Sequence, residues 1–363
     1  MQEEPDVPEI NNGQEDQWET DNRCGACGHG LIDRSENADS MLCSACREKY
    51  IHYPVPKLFI IFSAVIAVLM GFAFIRFPKV IKSYKIYEKA EAMAANGDIV
   101  EAIQGLHTVV EQYPGSVPVA VRLTDIAMEG GFYDDASYML SNNLSGKKME
   151  ANIVNRMNRY IDKLDRFYNT YDTVQNMQSK FGDDMSKEEV LETGYQYLNQ
   201  LLSDPEQDKA LVYYYMSMFA GDAGEARNCL EKSIAEDNNM LDAKVQLGTI
   251  SRRQGDLEYA ENCYNEVLLA DKTYSSASRG LAIIRLLEGK KEEGLDLASK
   301  AYEQNPEGDY VWETYLIALK ENAKNTDADA LVKEYISKGN ELDADFKSYL
   351  DGNLSLHEYY IDE

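Results

Sequence analysis

The chain has little cysteine, histidine and basic charge for its length. Among 363 residues there are six cysteines and four histidines, and 36 Lys and Arg residues face 63 Asp and Glu residues, which gives a formal net charge of −27. So few cysteines exclude a small scaffold held together by disulfide bonds. Because contacts to phosphates require an excess of basic residues, the acidic balance predicts no nucleic-acid partner.

The motifs of common enzyme families are also missing. None of the four histidines belongs to a His-Glu-x-x-His motif, and neither a Gly-x-Ser-x-Gly elbow nor a Gly-x4-Gly-Lys-Ser/Thr phosphate loop occurs. The acidic pairs Asp134-Asp135 and Asp183-Asp184 are interpreted as helix caps and solvated turns. The sequence therefore predicts a protein that is not an enzyme.

The residue types that are present form distinct blocks along the chain. Residues 1–22 carry eight acidic and no basic side chains, and few of them are large and apolar. Such a segment cannot bury enough apolar surface to fold, so we expect a disordered acidic tail. A cysteine module, an apolar segment and a large acidic domain follow. The overall hydrophobic share of 44% is sufficient for a real core.

Two Cys-x-x-Cys pairs, with fifteen residues between them, are formed by Cys24, Cys27, Cys43 and Cys46. Each pair presents two thiolates from one tight turn, and zinc prefers four ligands in a tetrahedron. The pattern resembles a zinc ribbon over about residues 23–49. The resemblance implies that the four cysteines bind a structural Zn2+ ion. Two disulfide bonds, a redox-active pair, or His29 in place of one thiolate are the alternatives.

An uninterrupted apolar run extends over Leu58–Ile75, eighteen residues without a charge, and Pro78 follows it. As a helix the run would be about 27 Å long, which matches the hydrocarbon core of a bilayer. A buried core helix is the alternative, but core helices are usually shorter and carry a polar face. The sequence therefore predicts a single transmembrane helix at 57–77.

Two arguments about the orientation in the membrane disagree. Five basic residues follow the apolar run and three precede it, so the positive-inside rule favours a cytoplasmic C-terminal side. Zinc thiolates, in contrast, persist best in a reducing compartment, and large domains cross membranes largely regardless of charge. The order of ribbon, helix and large domain also resembles a common layout of bacterial membrane proteins. We favour a cytoplasmic zinc ribbon and an extracytoplasmic acidic domain on the cell membrane.

Glycines recur with a period of 34 residues in the acidic domain. This spacing separates Gly97 from Gly131, and it separates successive members of the set Gly221, Gly255 and Gly289. A small residue follows five positions after each of them, at Ala102, Ala136, Ala226, Ala260 and Gly294. The pattern resembles the tetratricopeptide repeat (TPR), a pair of helices called A and B, and implies an α-solenoid.

The repeat pattern is interrupted once. The interval from Gly131 to Gly221 is 90 residues, which is not a multiple of 34. Apolar residues at three- and four-residue steps predict one long helix to Phe181 and another from Ser186 to Leu202. The expected fold is all-α, a TPR-like α-solenoid preceded by a small zinc ribbon and one transmembrane helix. Its parts are a first array at 83–145, a helical bridge or degenerate repeats at 146–205, and a second array with C-terminal capping helices at 206–363.

In TPR proteins the A helices line a concave wall on which peptides commonly lie. In the second array the resemblance places these wall positions at Asp208, Leu211, Tyr215, Met218, Asp242, Val245, Thr249, Arg252, Ser276, Arg279, Ile283 and Leu286. Tyr215, Arg252 and Arg279 are the candidate partner-binding residues, and an ordinary surface role is the alternative. The carboxylate clamp of some TPR proteins requires Lys and Asn where Leu211 and Tyr215 stand, so that activity is not implied.

The two remaining cysteines, Cys229 and Cys263, occupy equivalent positions in B helices one repeat apart. Stacked helices lie about 8–10 Å apart, whereas a disulfide requires Cα atoms within about 7 Å. We therefore expect two free thiols.

Three hypotheses about function follow. The first is a membrane-anchored scaffold whose repeats bind a protein or peptide partner. The second is a sensor or assembly subunit in which the zinc ribbon recruits a cytosolic partner. The third, an enzyme, has no motif to support it.

Overall fold

The computed structural model describes residues 22–52, 55–182, 185–308 and 310–361. The acidic tail predicted at 1–22, apart from Asn22, and the Asp183-Asp184 pair lie outside these residues. The chain divides into two compact units, Met1–Lys79 and Val80–Glu363.

Helix α1 spans Ser44–Ile51 and begins directly after Cys43. Helix α2 spans Lys57–Ala95, a length of 39 residues, so it begins in the first unit and ends in the second. In its most apolar 18-residue window the mean hydropathy is 2.8, and no part of that window is buried. Among the described helices, α2 is the one that is long and apolar enough to cross a membrane.

Helix α2 is longer than the transmembrane helix predicted at 57–77. Pro78, which we expected after the end of the helix, lies inside it. Proline has no amide hydrogen to donate to the carbonyl group of Phe74, so one helical hydrogen bond is lost while the residues beyond it continue the helix. From Ser83 onwards the helix packs into the second unit, where Ser83 and Ala90 are buried.

The second unit is an all-α, TPR-like solenoid in which helices follow one another as A and B pairs. In the described part of the chain the pairs are the end of α2 with α3 (Ile99–Gln112), α4 (Val117–Gly130) with α5 (Tyr133–Met139), α6 (Ala151–Gln175) with α7 (Lys187–Leu201), α8 (Lys209–Met218) with α9 (Ala223–Glu236), α10 (Leu241–Arg253) with α11 (Leu257–Ala270), α12 (Ser275–Leu287) with α13 (Lys291–Gln304), and α14 (Val311–Glu321) with α15 (Asn325–Ser337). Two shorter helices follow, α16 (Ala344–Leu350) and α17 (Leu356–Tyr360).

The periodic glycines form the turns between A and B helices. Gly97, Gly131, Gly255 and Gly289 have φ angles of 85°, 81°, 81° and 77°, in the left-handed region that glycine adopts without steric cost. Gly221 differs, because the turn at this point depends on a side chain. The carboxylate of Asp222 accepts a hydrogen bond from the amide of Glu225 and starts α9.

The interruption of the repeat pattern is a single elongated helix pair. Helix α6 has 25 residues and α7 has 15, whereas α4 has 14. Met157 and Leu164 of α6 are buried in the core of the first array. Val174, near the end of α6, is buried in a second core together with Leu198 and Val212. The elongated pair therefore connects the cores of the two arrays.

The first array also contacts the second array directly. Lys272, which follows α11, forms an ion pair with Asp98, which precedes α3. The side-chain amide of Asn239 donates a hydrogen bond of 3.4 Å to the carbonyl group of Met128. A Cβ atom at Gly131 would lie 2.6 Å from the carbonyl oxygen of Asn239. These contacts show that the solenoid folds back on itself.

The short helices α16 and α17 pack on the last pairs of the solenoid. Phe346 and Tyr360 are buried in the same core as Ile283 and Leu316. Helices α15 and α16 lie in the part of the chain where the sequence pattern predicts C-terminal capping helices. The sequence pattern did not predict α17.

Candidate functional sites

Two backbone turns position the four cysteines of the first unit. In the first turn the amide of Gly28 donates a 2.8 Å hydrogen bond to the carbonyl group of Cys24. In the second turn, where α1 begins, the amide of Arg47 donates a 2.8 Å hydrogen bond to the carbonyl group of Cys43. The guanidinium of Arg47 also pairs with Asp33 at 3.0 Å, which ties the loop between the two turns to α1.

The sulfur atoms of Cys24, Cys27, Cys43 and Cys46 all lie within 4.8 Å of one another, and all four are free thiols. The Sγ atoms of Cys27 and Cys43 are 3.9 Å apart. With Zn–S bonds of about 2.3 Å, a tetrahedral zinc site requires sulfur separations of about 3.8 Å. A Cβ atom at Gly30 would lie 2.9 Å from the Sγ atom of Cys43, so glycine lets this backbone approach the cluster closely. The four thiols therefore fit a tetrahedral metal ion.

The thiols have different acidities because their surroundings differ. A backbone hydrogen bond from Cys43 lowers the pKa of Cys24 to about 6. Backbone hydrogen bonds from Gly30 and His29 lower the pKa of Cys27. The neighbouring sulfur atoms of Cys43 and Cys27 raise the pKa of Cys46 to about 12. Four thiolates in contact repel one another, and a bound cation would remove that repulsion.

The alternative ligand His29 is exposed and does not belong to the cluster. Among the described residues, the four cysteines are the one group of three or more histidine, cysteine or acidic side chains that could hold a metal ion.

Two of the three predicted partner-binding residues line one cavity. The cavity has a volume of about 540 Å3, and it is called the Arg252 cavity below. Six of its lining residues were predicted at wall positions of the A helices, namely Asp242, Val245, Thr249, Arg252, Ser276 and Arg279. The wall positions that the repeat period predicts on α10 and on α12 therefore line the same cavity.

Tyr215 lies apart from the Arg252 cavity. Its ring makes an edge contact with the ring of Tyr214 at a centroid distance of 5.4 Å. The side chain of Tyr215 is half-buried and packs against two hydrophobic cores, both of which include residues of α8. Burial raises the pKa of its hydroxyl group. The structure therefore does not bring Tyr215 together with Arg252 and Arg279.

The chain itself covers part of the Arg252 cavity. Arg252 is only 3% exposed, and its guanidinium donates a hydrogen bond to the carbonyl group of Tyr360 in α17. Arg279 donates to the carbonyl group of Tyr310 at 3.1 Å and to the hydroxyl group of Thr314 at 3.0 Å. Burial lowers the pKa of Arg252. The open wall expected from the repeat pattern is thus occupied at this point by the C-terminal helix.

A second cavity, of about 680 Å3, lies on the A helices of the first array and is called the Val121 cavity below. Val121 and Asp125 of α4 line it, together with Tyr87 of α2 and Ile153 of α6. Two of its charged groups pair with each other, since Arg156 meets Asp125 at 2.9 Å. The same repeat period also defines wall positions on α4, and Val121 and Asp125 stand at two of them.

The last two cysteines stand as free thiols in the interior. Cys229 is 1% exposed and Cys263 is 8% exposed. Burial raises the pKa of both thiols, and that of Cys263 rises to about 11. Their thiolate forms are therefore scarce at neutral pH.

No protein-family model and no curated protein matches the chain. Solved structures of TPR proteins do. MamA is 15% identical with a TM-score of 0.28, and the match covers 60% of this chain and 94% of MamA. A TPR protein from Parabacteroides merdae is 16% identical with a TM-score of 0.32, covering 77% and 87%. YrrB, described as a TPR protein with an unusual peptide-binding site, is 13% identical with a TM-score of 0.28, covering 67% and 97%.

Proposed function

We propose that this protein is a membrane-anchored scaffold whose TPR-like solenoid binds a partner protein. Helix α2 is the anchor, and the cysteine cluster is a structural zinc ribbon on the other side of the membrane. The solenoid works by presenting a shaped surface and performs no chemistry of its own.

The single observation that carries this proposal is the Arg252 cavity. Its six predicted wall residues come from two successive A helices and line one side of a cavity large enough for several side chains of a peptide. The Val121 cavity repeats the arrangement in the first array, where Val121 and Ile153 offer an apolar floor and Asp125 and Arg156 a polar rim. A cavity on the same helix face of each array suits an extended partner.

The zinc ribbon supports the scaffold by forming a small folded domain without a large core. A domain of this size cannot bury enough apolar surface to fold alone, and four metal–thiolate bonds would supply the missing stability. Zn2+ would be held by Cys24, Cys27, Cys43 and Cys46. We place this ribbon in the cytoplasm, because four thiolates persist in a reducing compartment.

A photo-crosslinking experiment tests the proposal on the full chain in its native membrane. A photoreactive amino acid replaces Gln246, an exposed residue of the Arg252 cavity, or Lys148, an exposed residue of the Val121 cavity. Lys300, which is exposed on α13, is the matched control. We expect one protein to crosslink at a cavity position and not at Lys300.

The crosslinked protein is then purified and added back to the purified full chain. Binding that is lost when a bulky residue fills the cavity, as in Ser276→Trp, supports the scaffold. Identical adducts at all three positions, or no adduct at either cavity, contradict it.

A further inference from the structure

The occupant of the Arg252 cavity is a small structural unit at residues 353–361, called the C-terminal segment below. It follows a turn at Gly352, whose φ is 78°. Its helix, α17, has its own start signal, because the side chains of Ser355 and Glu358 cap each other's backbone amides. The segment therefore has local structure of its own and is joined to α16 by a glycine turn.

Two tyrosines anchor the C-terminal segment to the solenoid. The carbonyl group of Tyr360 accepts a hydrogen bond from Arg252, and its ring lies 5.2 Å from the guanidinium carbon of Arg252. The hydroxyl group of Tyr360 donates to Thr314 at 3.3 Å, and Tyr360 is 4% exposed. The hydroxyl group of Tyr359 donates to the carboxylate of Glu313. These contacts have the form of a peptide bound to the wall of α10, α12 and α14.

The C-terminal segment does not provide hydrogen-bond acceptors for all the donors of the Arg252 guanidinium. Its Nε atom is buried without a hydrogen-bond partner among the described residues. The ion pairs of the described part of the chain include neither Arg252 nor Arg279. A buried guanidinium that meets a neutral carbonyl group keeps an uncompensated positive charge, which a carboxylate would neutralise with a bidentate contact. The wall therefore suits a ligand with more negative charge than the carbonyl group of Tyr360.

The charges of the two sides agree with this conclusion. The stretch 343–361 carries four acidic residues and one lysine. The A-helix wall carries Arg252, Arg253 and Arg279 against Asp242 and Glu313. Within the C-terminal segment the acidic residue of the cavity lining is Glu358, whereas Asp343 and Asp345 precede the segment and remain in the lining when it leaves. Opposite charges thus face each other across the contact.

We propose that the Arg252 cavity binds an acidic, tyrosine-containing helical segment of the partner protein. Without the partner, the C-terminal segment occupies the cavity, and the partner displaces it on binding. This inference rests on the proposed function, because it assumes that the solenoid binds a protein. In the bound state a partner carboxylate takes the position of the Tyr360 carbonyl group on Arg252, and a partner tyrosine takes the place of the Tyr360 ring beside Thr314.

The binding experiment uses a fluorescent peptide with the sequence of residues 353–361, NLSLHEYYI, as the probe. The protein is the full chain in detergent micelles, compared with a chain that ends at Gly352. We expect the shortened chain to bind the probe at least 10-fold more tightly than the full chain. Arg252→Ala in the shortened chain, or alanine in place of both tyrosines of the probe, should weaken binding at least 10-fold. A shortened chain that keeps its helical circular dichroism but does not bind the probe overturns the proposal.

Hydrogen exchange on the unaltered full chain covers the case in which the shortened chain does not fold. A displaceable segment must open by itself, so the amides of α17 should exchange at least 100-fold faster than those of α14. Equal exchange in the two helices means that α17 is a fixed part of the core, and it overturns the proposal. If that happens while Gln246 still crosslinks to a partner, the scaffold function stands and only this inference fails.

Discussion

The hydroxyl group of Tyr133 in α5 donates a hydrogen bond to the carboxylate of Asp237, which lies 104 residues later in the chain. Lys163 of α6 binds the same carboxylate at 2.7 Å, and its ammonium group lies 4.9 Å from the centre of the Tyr133 ring. One buried carboxylate therefore joins the first array, the elongated pair and the second array. The packing of helices that follow one another in the sequence would not by itself bring Tyr133, Lys163 and Asp237 together.

The first prediction removes this junction with Asp237→Asn. The amide keeps the shape of the carboxylate but leaves the ammonium group of Lys163 without a counter-charge, so we expect the free energy of unfolding of the second unit to fall by about 2 kcal/mol. Glu231→Gln is the control, because its ion pair with Arg227 is partly exposed and lies within one helix. We expect the control to cost less than about 0.5 kcal/mol. Urea unfolding of the full chain in micelles, followed by circular dichroism, measures both values.

The effect of Asp237→Asn should depend on pH in a defined direction. Burial by itself would raise the pKa of Asp237, but hydrogen bonds from Lys163 and Tyr133 outweigh it and hold the pKa below its ordinary value. A group with a lowered folded-state pKa contributes stability above its unfolded pKa of about 3.9, and this contribution is lost as the pH falls further. The difference between the native chain and the variant should therefore be constant from pH 5 to pH 7 and shrink below about pH 4. A difference that grows on acidification contradicts the assignment.

The second prediction separates backbone strain from the contact between the arrays. Gly131 and Gly255 occupy equivalent turns, and both have a φ of 81°. A Cβ atom at Gly131 would lie 2.6 Å from the carbonyl oxygen of Asn239, whereas at Gly255 no atom lies within 4 Å. Gly255→Ala should cost about 1–2 kcal/mol from left-handed strain alone. Gly131→Ala should cost about 1–3 kcal/mol more, because the arrays must separate to admit the methyl group.

Thermal and urea unfolding of the two alanine variants provide the measurement. Equal losses in Gly131→Ala and Gly255→Ala would mean that the first array does not pack on Asn239 in solution.

The repeat pattern predicts much of the second unit because each repeat is specified locally. A glycine at a fixed spacing makes the left-handed turn, and a small residue five positions later lets the helices approach, so the sequence alone locates α10 to α13 and places Arg252 and Arg279 on one wall. The same is true within each Cys-x-x-Cys turn, because the turn brings its own two sulfur atoms together locally, and the four sulfur atoms lie within 4.8 Å of one another.

The features that the sequence did not predict depend on contacts between distant residues. The hydrogen bond between Arg252 and Tyr360 joins residues 108 positions apart and depends on the turn at Gly352. The contact of Gly131 with Asn239 depends on how far α6 extends before the chain turns back. Pro78 shows that a proline does not always mark the end of a helix. A helix can lose one hydrogen bond and continue when both flanking segments favour it.

The third prediction concerns the metal. We expect the full chain, purified without chelators under reducing conditions, to contain one zinc ion, as measured by elemental mass spectrometry. Cys43→Ser removes one of four thiolates from a cluster whose sulfur atoms lie within 4.8 Å of one another, so it should release the zinc. Cys263→Ser is the control, because that thiol is buried in the solenoid, and this variant should keep the metal. Zinc that survives Cys43→Ser, or a native content near zero, would show that the cysteines serve another purpose.

The last prediction is the orientation of the chain in the membrane. Five basic residues follow the apolar run and three precede it, and this difference of two charges favours a cytoplasmic solenoid. The four thiolates favour the opposite arrangement, because an oxidised cluster would lose its metal altogether. A bias of two charges is weak for a large domain that crosses the membrane largely regardless of charge. We therefore expect the ribbon inside and the solenoid outside.

Protease treatment of intact cells distinguishes the two orientations, with an antibody tag at each end of the chain. With the ribbon inside, external protease should digest the solenoid and leave a fragment that contains the four cysteines and the membrane-spanning part of α2. Cells permeabilised before treatment are the control, and in these the N-terminal tag should also be lost. The result matters for the partner as well, because a protein that reaches the Arg252 cavity must be in the same compartment as the solenoid. Protection of the solenoid in intact cells would reverse the orientation and direct the search for the partner to the cytoplasm.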